Sequence, residues 1–204
     1  MDRLYAVITN VCSEFGLKVC RDFAESGHDL LITSSSDEIF RIQSQLESEG
    51  YDVEAIRVDL GTHAGVENLY TVICDAPPID KLIICSEDYG NELFLETSIN
   101  EDIKQINHNI IAPLHLVKRV LPDMIRRQKG IVIFTKRDED KKTSIQSPVQ
   151  KATRAFLDKF SNEVELSPGV IIYTEYKNKE DHFFKRMHEY AYRVLPELKL
   201  FMKP

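Results

Sequence analysis

The chain reads as an α/β protein built on a doubly wound parallel sheet of about six strands, order 3-2-1-4-5-6, with helices on both faces. Two observations carry this. Short apolar runs alternate with amphipathic stretches six times along the chain. The runs also lack strict polar alternation, which suits strands buried on both sides. Right-handed crossovers between successive parallel strands then generate the doubly wound order.

Leu4–Thr9 opens as a strand rich in β-formers. Residues 15–26 follow as a helix, with Phe15, Leu17, Val19, Cys20, Phe23 and Ala24 as its apolar residues. Residues 29–33 make a second strand centred on Leu30, Leu31 and Ile32. Asp37 is expected to cap a polar helix that runs to about residue 49, with Ile39, Phe40, Ile42 and Leu46 at helical spacing. Gly50 stops that helix. A third strand, 53–58, precedes a short helix over 64–74, and the fourth strand, Lys81–Cys85, is apolar after its lysine. The longest helix spans 100–127, with Ile103, Ile106, Ile110, Leu114, Val117, Leu121 and Met124 along one stripe. Pro113 is expected to kink or break it, and Pro122 to do the same near its end. Residues 131–135 form the fifth strand, 148–166 a helix, 170–173 the sixth strand and 179–194 a last helix. No repeat, low-complexity tract or linker stands out, so residues 1–204 are read as a single domain.

Composition narrows the function classes. Lys plus Arg is 26 and Asp plus Glu is 33, so the net charge is −7. That balance is a poor start for sequence-independent nucleic-acid binding. No apolar run approaches the roughly 18 residues needed to cross a bilayer. Met1, Asp2, Arg3 and Leu4 lead straight into the first strand without a signal-peptide pattern, so a cytoplasmic protein is expected. Cys12, Cys20, Cys74 and Cys85 lack C-x-x-C spacing and are read as buried free thiols in a reducing compartment. The six histidines form no H-E-x-x-H pattern, and no metal is expected.

A run of landmarks then resembles the short-chain dehydrogenase/reductase family over roughly residues 3–175. Thr9, Asn10, Val11, Cys12, Ser13, Glu14, Phe15 and Gly16 stand where that family has T-G-x-x-x-G-x-G. Val58-Asp59-Leu60 is similar to its adenine-contacting strand end, and Ile79-Asp80-Lys81-Leu82-Ile83 to the I-D-x-L-V run opening its fourth strand. Asn109 through Leu114, followed by Val120-Leu121-Pro122-Asp123-Met124, resembles the long helix carrying the catalytic asparagine. Gly130-Ile131-Val132-Ile133 matches the start of the fifth strand, and Lys151-Ala152 the end of Y-x-x-x-K. The resemblance implies a Rossmann-like fold, NAD or NADP as a possible ligand, and cofactor contacts from Thr9, Asn10, Ser13, Gly16, Ser35, Asp59, Leu60 and Cys85. It also implies a homodimer or homotetramer, because the family's long helices commonly form such faces.

The departures matter as much. Asn10 and Glu14 replace two cofactor-loop glycines, and Glu14 puts a carboxylate where a pyrophosphate would lie. The N-N-A-G tetrad after the fourth strand is Ile84-Cys85-Ser86-Glu87. Of the four catalytic positions, Asn109 and Lys151 remain, Lys136 stands at the serine with Thr135 beside it, and Ser147 stands at the tyrosine. With only Lys179 to Pro204 after the sixth strand, a C-terminally short member without the family's usual seventh strand is expected. Each surviving residue has a plainer reading: Asn109 as an amide at a helix break, Lys151 as a helix lysine, Asp59 as a turn residue. Ser34-Ser35-Ser36 carries no acid to repel a 2′-phosphate and no arginine to hold one, which leaves a slight lean to NADP. Lys136 to Lys142 reads as a solvated loop over the would-be site, or as a partner- or substrate-gating segment. Arg126, Arg127 and Lys129 complement the dipole at the end of the long helix. The aromatic terminal stretch, from Phe183 to Phe201, is expected to fold back or meet another subunit. Three functions follow, the first two being a binding or regulatory protein on a degenerate frame and an NAD(P)-dependent oxidoreductase with a rearranged site and a donor such as Tyr89 or Tyr176. An unrelated small-ligand binder on the same sheet is a third.

Overall fold

The computed structural model describes residues 4–86, 95–137, 148–163 and 170–177. The expected helix over 179–194, the aromatic terminal stretch, Tyr89, Ser147 and most of the charged 136–142 loop lie outside them, as does the side chain of Tyr176.

Six parallel strands form one sheet in the order β3-β2-β1-β4-β5-β6. They are β1 (Leu4–Thr9), β2 (His28–Ser34), β3 (Val53–Arg57), β4 (Lys81–Cys85), β5 (Gly130–Arg137) and β6 (Val170–Lys177). Parallel pairing demands crossovers, supplied by α1 (Glu14–Glu25), α2 (Glu38–Ser48), α3 (His63–Asp75), α4 (Ile99–Ile106), α5 (Ala112–Arg127) and α6 (Pro148–Glu163). The central strands are apolar throughout because both faces are covered. Ala6, Ile8, Leu30, Ile32 and Ile83 pack under α1 and α2, while Val7, Leu31, Leu82, Ile84 and Val132 pack under α3 and α5. The alternation along each strand thus divides one apolar run between two cores.

The long helix departs from expectation. A π-helical turn, Asn107–Ile111, joins α4 to α5. Pro113 lies just beyond it, near the start of α5, and is buried rather than kinking the helix outward. Pro113 has no N–H to offer the Asn109 carbonyl, and the wider turn absorbs that loss: the Ala112 N–H reaches back to the Asn107 carbonyl. Pro122 leaves α5 unbroken; it is exposed, and the carbonyl it strands belongs to exposed Lys118 on the solvent side. The apolar stripe does not enter the core as one line. Val117 and Met124 are buried, whereas Ile99, Ile103, Ile106 and Ile111 are exposed and Asp102, Gln105, His108 and Asn109 are buried. The extra residue of the π turn rotates α4 relative to α5, so one helical phase cannot serve both.

Two smaller expectations also change. Asp37 makes no capping hydrogen bond; Ser36 Oγ accepts from the Glu38 N–H, and the Asp37 carboxylate turns to Arg57 at 3.1 Å. All four cysteines are free, but only Cys20 and Cys85 are buried. Cys12 lies on the loop after β1 and Cys74 in the last turn of α3, both exposed.

At the amino edge of the sheet, Asp80 is buried. It accepts from the Tyr5 N–H at 3.2 Å and pairs with the Lys129 ammonium at 2.6 Å. His28 is buried close by, with Nδ1 2.8 Å from Ser26 Oγ and the Phe23 ring edge-on at 5.5 Å.

Candidate functional site

Parallel strands bring all their carboxyl ends to one edge, and in such sheets this edge opens where β1 and β4 diverge from the order of the chain. Thr9 ends β1. Asn10 follows with φ 54°, the left-handed backbone that a glycine would ordinarily take. Asparagine tolerates this conformation, so the tight turn survives the loss of the glycine. Its Nδ2 donates to the Cys85 carbonyl at 3.0 Å, tying the loop after β1 to the end of β4. The Val11 N–H donates to the Thr33 carbonyl at 3.2 Å, tying the same loop to β2.

Ser13 caps α1, its Oγ accepting from the Gly16 N–H at 3.0 Å. At Gly16 the loop backbone runs so close that an added Cβ would sit 2.5 Å from the Val11 carbonyl oxygen. Only glycine lets helix and loop approach this closely. Glu14 is the first residue of α1 and is exposed, where its charge suits the helix dipole.

Beyond β2, Ser35 is exposed, and Ser34 Oγ accepts from the Ser36 N–H at 3.2 Å. Arg57, paired across the sheet with Ser34, places a guanidinium beside this loop. The sequence hides that arginine because it arrives from the neighbouring strand. After β3, Asp59 Oδ1 accepts from the Gly61 N–H at 2.9 Å and lies 2.8 Å from His108 Nε2. The His108 bond, aided by the Gly61 N–H, holds the Asp59 carboxyl below its ordinary range. Asp59 thus closes the turn after β3, and Leu60 beside it is buried. His108, buried in the π turn next to Asn109, is a second residue that the sequence hides; its position beside the asparagine is the one signal for it.

The hydroxyls of Thr9, Thr33 and Thr135 are fully buried with no hydrogen-bond partner among the described residues. Buried polar groups are normally paired, and these three hydroxyls stand at or near the carboxyl ends of β1, β2 and β5. Lys136 is placed by register opposite Tyr176, between β5 and β6. Lys151 is exposed in the first turn of α6. That helix packs on α4 and on the π turn holding Asn109.

The short chain dehydrogenase family model matches residues 4–169. The chain belongs to this family. Among curated proteins, oxidoreductase UcpA of Salmonella typhimurium is 29% identical over 134 residues, covering 63% of this chain and 49% of that protein. The inactive hydroxysteroid dehydrogenase-like protein 1 of Homo sapiens is 24% identical over 176 residues, covering 82% of this chain and 53% of its own length. The chain thus spans about half the length of these relatives. A metagenomic short-chain oxidoreductase solved in complex with NADP superposes with a TM-score of 0.73 at 16% identity, covering 87% of this chain and 83% of that one. Such solved short-chain dehydrogenases have the same fold as this chain, as the sheet order 3-2-1-4-5-6 foretold. No helix among the described residues is long and apolar enough to cross a membrane.

Proposed function

We propose that this short-chain dehydrogenase family member binds a dinucleotide without carrying out hydride transfer, and that it acts as a binding or regulatory protein. The observation that carries this reading is Ser147, four residues before Lys151, where the family has a tyrosine. A phenol with pKa near 10, lowered by a neighbouring ammonium, works as an acid or base at neutral pH. An aliphatic hydroxyl is far less acidic and reaches less far. Lys136 removes the second hydroxyl. Asn109 and Lys151 remain as positioning groups without the donor they would serve. The likeness to a relative named as inactive supports the same reading.

The loop after β1 fits a dinucleotide: the turn at Asn10 is kept, and Gly16 keeps its close approach. In this reading Asn10, Ser13, Gly16 and the first turn of α1 hold the pyrophosphate. Asp59 and Leu60 face the adenine, Thr9 and Cys85 the central ribose edge, and Ser35 with Arg57 the adenosine 2′ position. Arg57 favours NADP over NAD, since its guanidinium suits a phosphate. A bound nicotinamide would offer a hydride, and neither Ser147 nor Lys136, at the family's Tyr and Ser positions, supplies a phenolic proton to accompany it. The exposed isoleucines of α4 and the π turn suit a second copy of the chain, making a homodimer or homotetramer part of the proposal. A reducing, cytoplasmic setting suits the four free thiols.

The test is a titration with NADPH and NADH, followed by nicotinamide fluorescence in a chain that has no tryptophan. Binding of NADPH in the micromolar range is expected. Arg57→Ala should weaken NADPH more than NADH, Asp59→Ala should weaken both, and Glu14→Gly should strengthen both by removing a charge from the pyrophosphate. Absence of binding in the parent and in Glu14→Gly alike would rule out the dinucleotide.

A further inference from the structure

We propose that His63, Glu67 and His115 form a site for a borderline divalent transition-metal ion, of the class of Zn2+, Ni2+ and Co2+, that clips α3 to α5. The inference stands apart from the dinucleotide reading and does not depend on it. It also runs against the expectation from histidine spacing, because one of the three ligands comes from a different helix.

His63 is the first residue of α3, and Glu67 follows one turn later, so both side chains share a face of the helix. α3 packs against α5, which carries His115. The His63 and His115 ring centroids are 4.6 Å apart, and His115 Nε2 lies 2.6 Å from Glu67 Oε1. One donor atom from each residue lies within 4.8 Å of the others. With bonds of about 2.0–2.2 Å in a tetrahedral site, donor atoms stand roughly 3.3 Å apart. The Glu67–His115 contact therefore opens by under about 1 Å, and His63 closes by at most about 1.5 Å. Side-chain rotation supplies both movements, because His63 is exposed and the other two are half-buried. The helices fix the backbones.

Two imidazoles with one carboxylate select borderline ions over Mg2+ and Ca2+, which take oxygen donors. A fourth position is left for water. Arg119 sets the limit on affinity. Its Nε donates to Glu67 Oε1 at 2.8 Å and its Nη2 to Oε2 at 2.5 Å. The guanidinium neutralises the Glu67 carboxylate and so competes with the incoming cation. Arg119 has a second anchor, the Tyr70 ring, with its guanidinium carbon 5.3 Å from the centroid, and can keep that contact when a metal takes Oε1.

The experiment strips the purified chain with a chelator, then titrates Co2+, read by its visible bands, and Zn2+, read by calorimetry. A single equivalent is expected in the parent chain. It should weaken by at least about tenfold in His63→Ala and in His115→Ala, and tighten in Arg119→Met. Excess Mg2+ should not displace it. Zn2+ should raise the thermal midpoint of the parent and of neither histidine variant. Metal-free melting of the variants at the parent's temperature shows that the loss is not misfolding. No uptake by the parent, or uptake that survives in both histidine variants, overturns the proposal.

Discussion

Gly65→Ala is expected to destabilise the chain by about 2–4 kcal/mol. An added Cβ at this position would lie 1.9 Å from the Asp59 carbonyl oxygen and 2.7 Å from its carbonyl carbon. Both atoms are backbone and cannot rotate aside. The segment 59–62 has to move instead, and it carries the cap of α3. There the Thr62 hydroxyl accepts from the Gly65 N–H at 3.0 Å and donates to the Asp59 carbonyl at 2.9 Å. Overpacking against fixed atoms typically costs about 1–3 kcal/mol, and a lost cap adds about 1. Gly50→Ala is the control: φ there is +93° but nothing lies within 4 Å, so only the backbone penalty of about 1–2 kcal/mol applies. Urea unfolding midpoints at constant m separate the two. A Gly65→Ala midpoint equal to the parent's would disprove the close approach.

The second large effect is a loss of stability in acid that traces to one side chain. His28 is buried, with its pKa lowered to about 4, first by burial and then by the Lys81 ammonium, with Asp80 opposing. The unfolded chain takes up this proton near 6.5, whereas the folded chain refuses it until about 4. The contribution is therefore fully present above pH 6.5 and is lost as the pH falls towards 4. At about 1.4 kcal/mol per pH unit the whole loss is about 3 kcal/mol, and about 2 of it falls between pH 6.5 and 5, above most carboxylate titrations. His28→Gln should flatten that part of the stability profile. Equal slopes in the two chains would place the acid sensitivity elsewhere.

The strand order was legible because a parallel strand buried on both faces leaves an uninterrupted apolar run, and Leu30-Leu31-Ile32 and Leu82-Ile83-Ile84 are such runs. The phase of α4 was not, since a single inserted residue at the π turn rotates the isoleucines outward and nothing in the composition of 107–111 marks it. Asn10 was readable as a departure from glycine but not as a tolerated one, because its φ of 54° is a property of the folded loop. Arg57 and His108 escaped notice for a common reason: each reaches the site from an element 20 to 49 positions away from its partner. The His63–Glu67–His115 cluster was hidden in the same way, by the packing of two helices. Ser147 was legible only as a substitution at a family position, and the role proposed for it rests on hydroxyl chemistry.

The most direct test of the proposed loss of hydride transfer is the fate of NADPH. The protein is held with NADPH and a broad mixture of aldehydes, ketones and quinones while the nicotinamide absorbance is followed. A chain lacking the family's proton donor leaves the NADPH intact, and Lys151→Ala changes nothing. Sustained consumption by the parent chain that Lys151→Ala abolishes would contradict this and make the protein an oxidoreductase with a rearranged site.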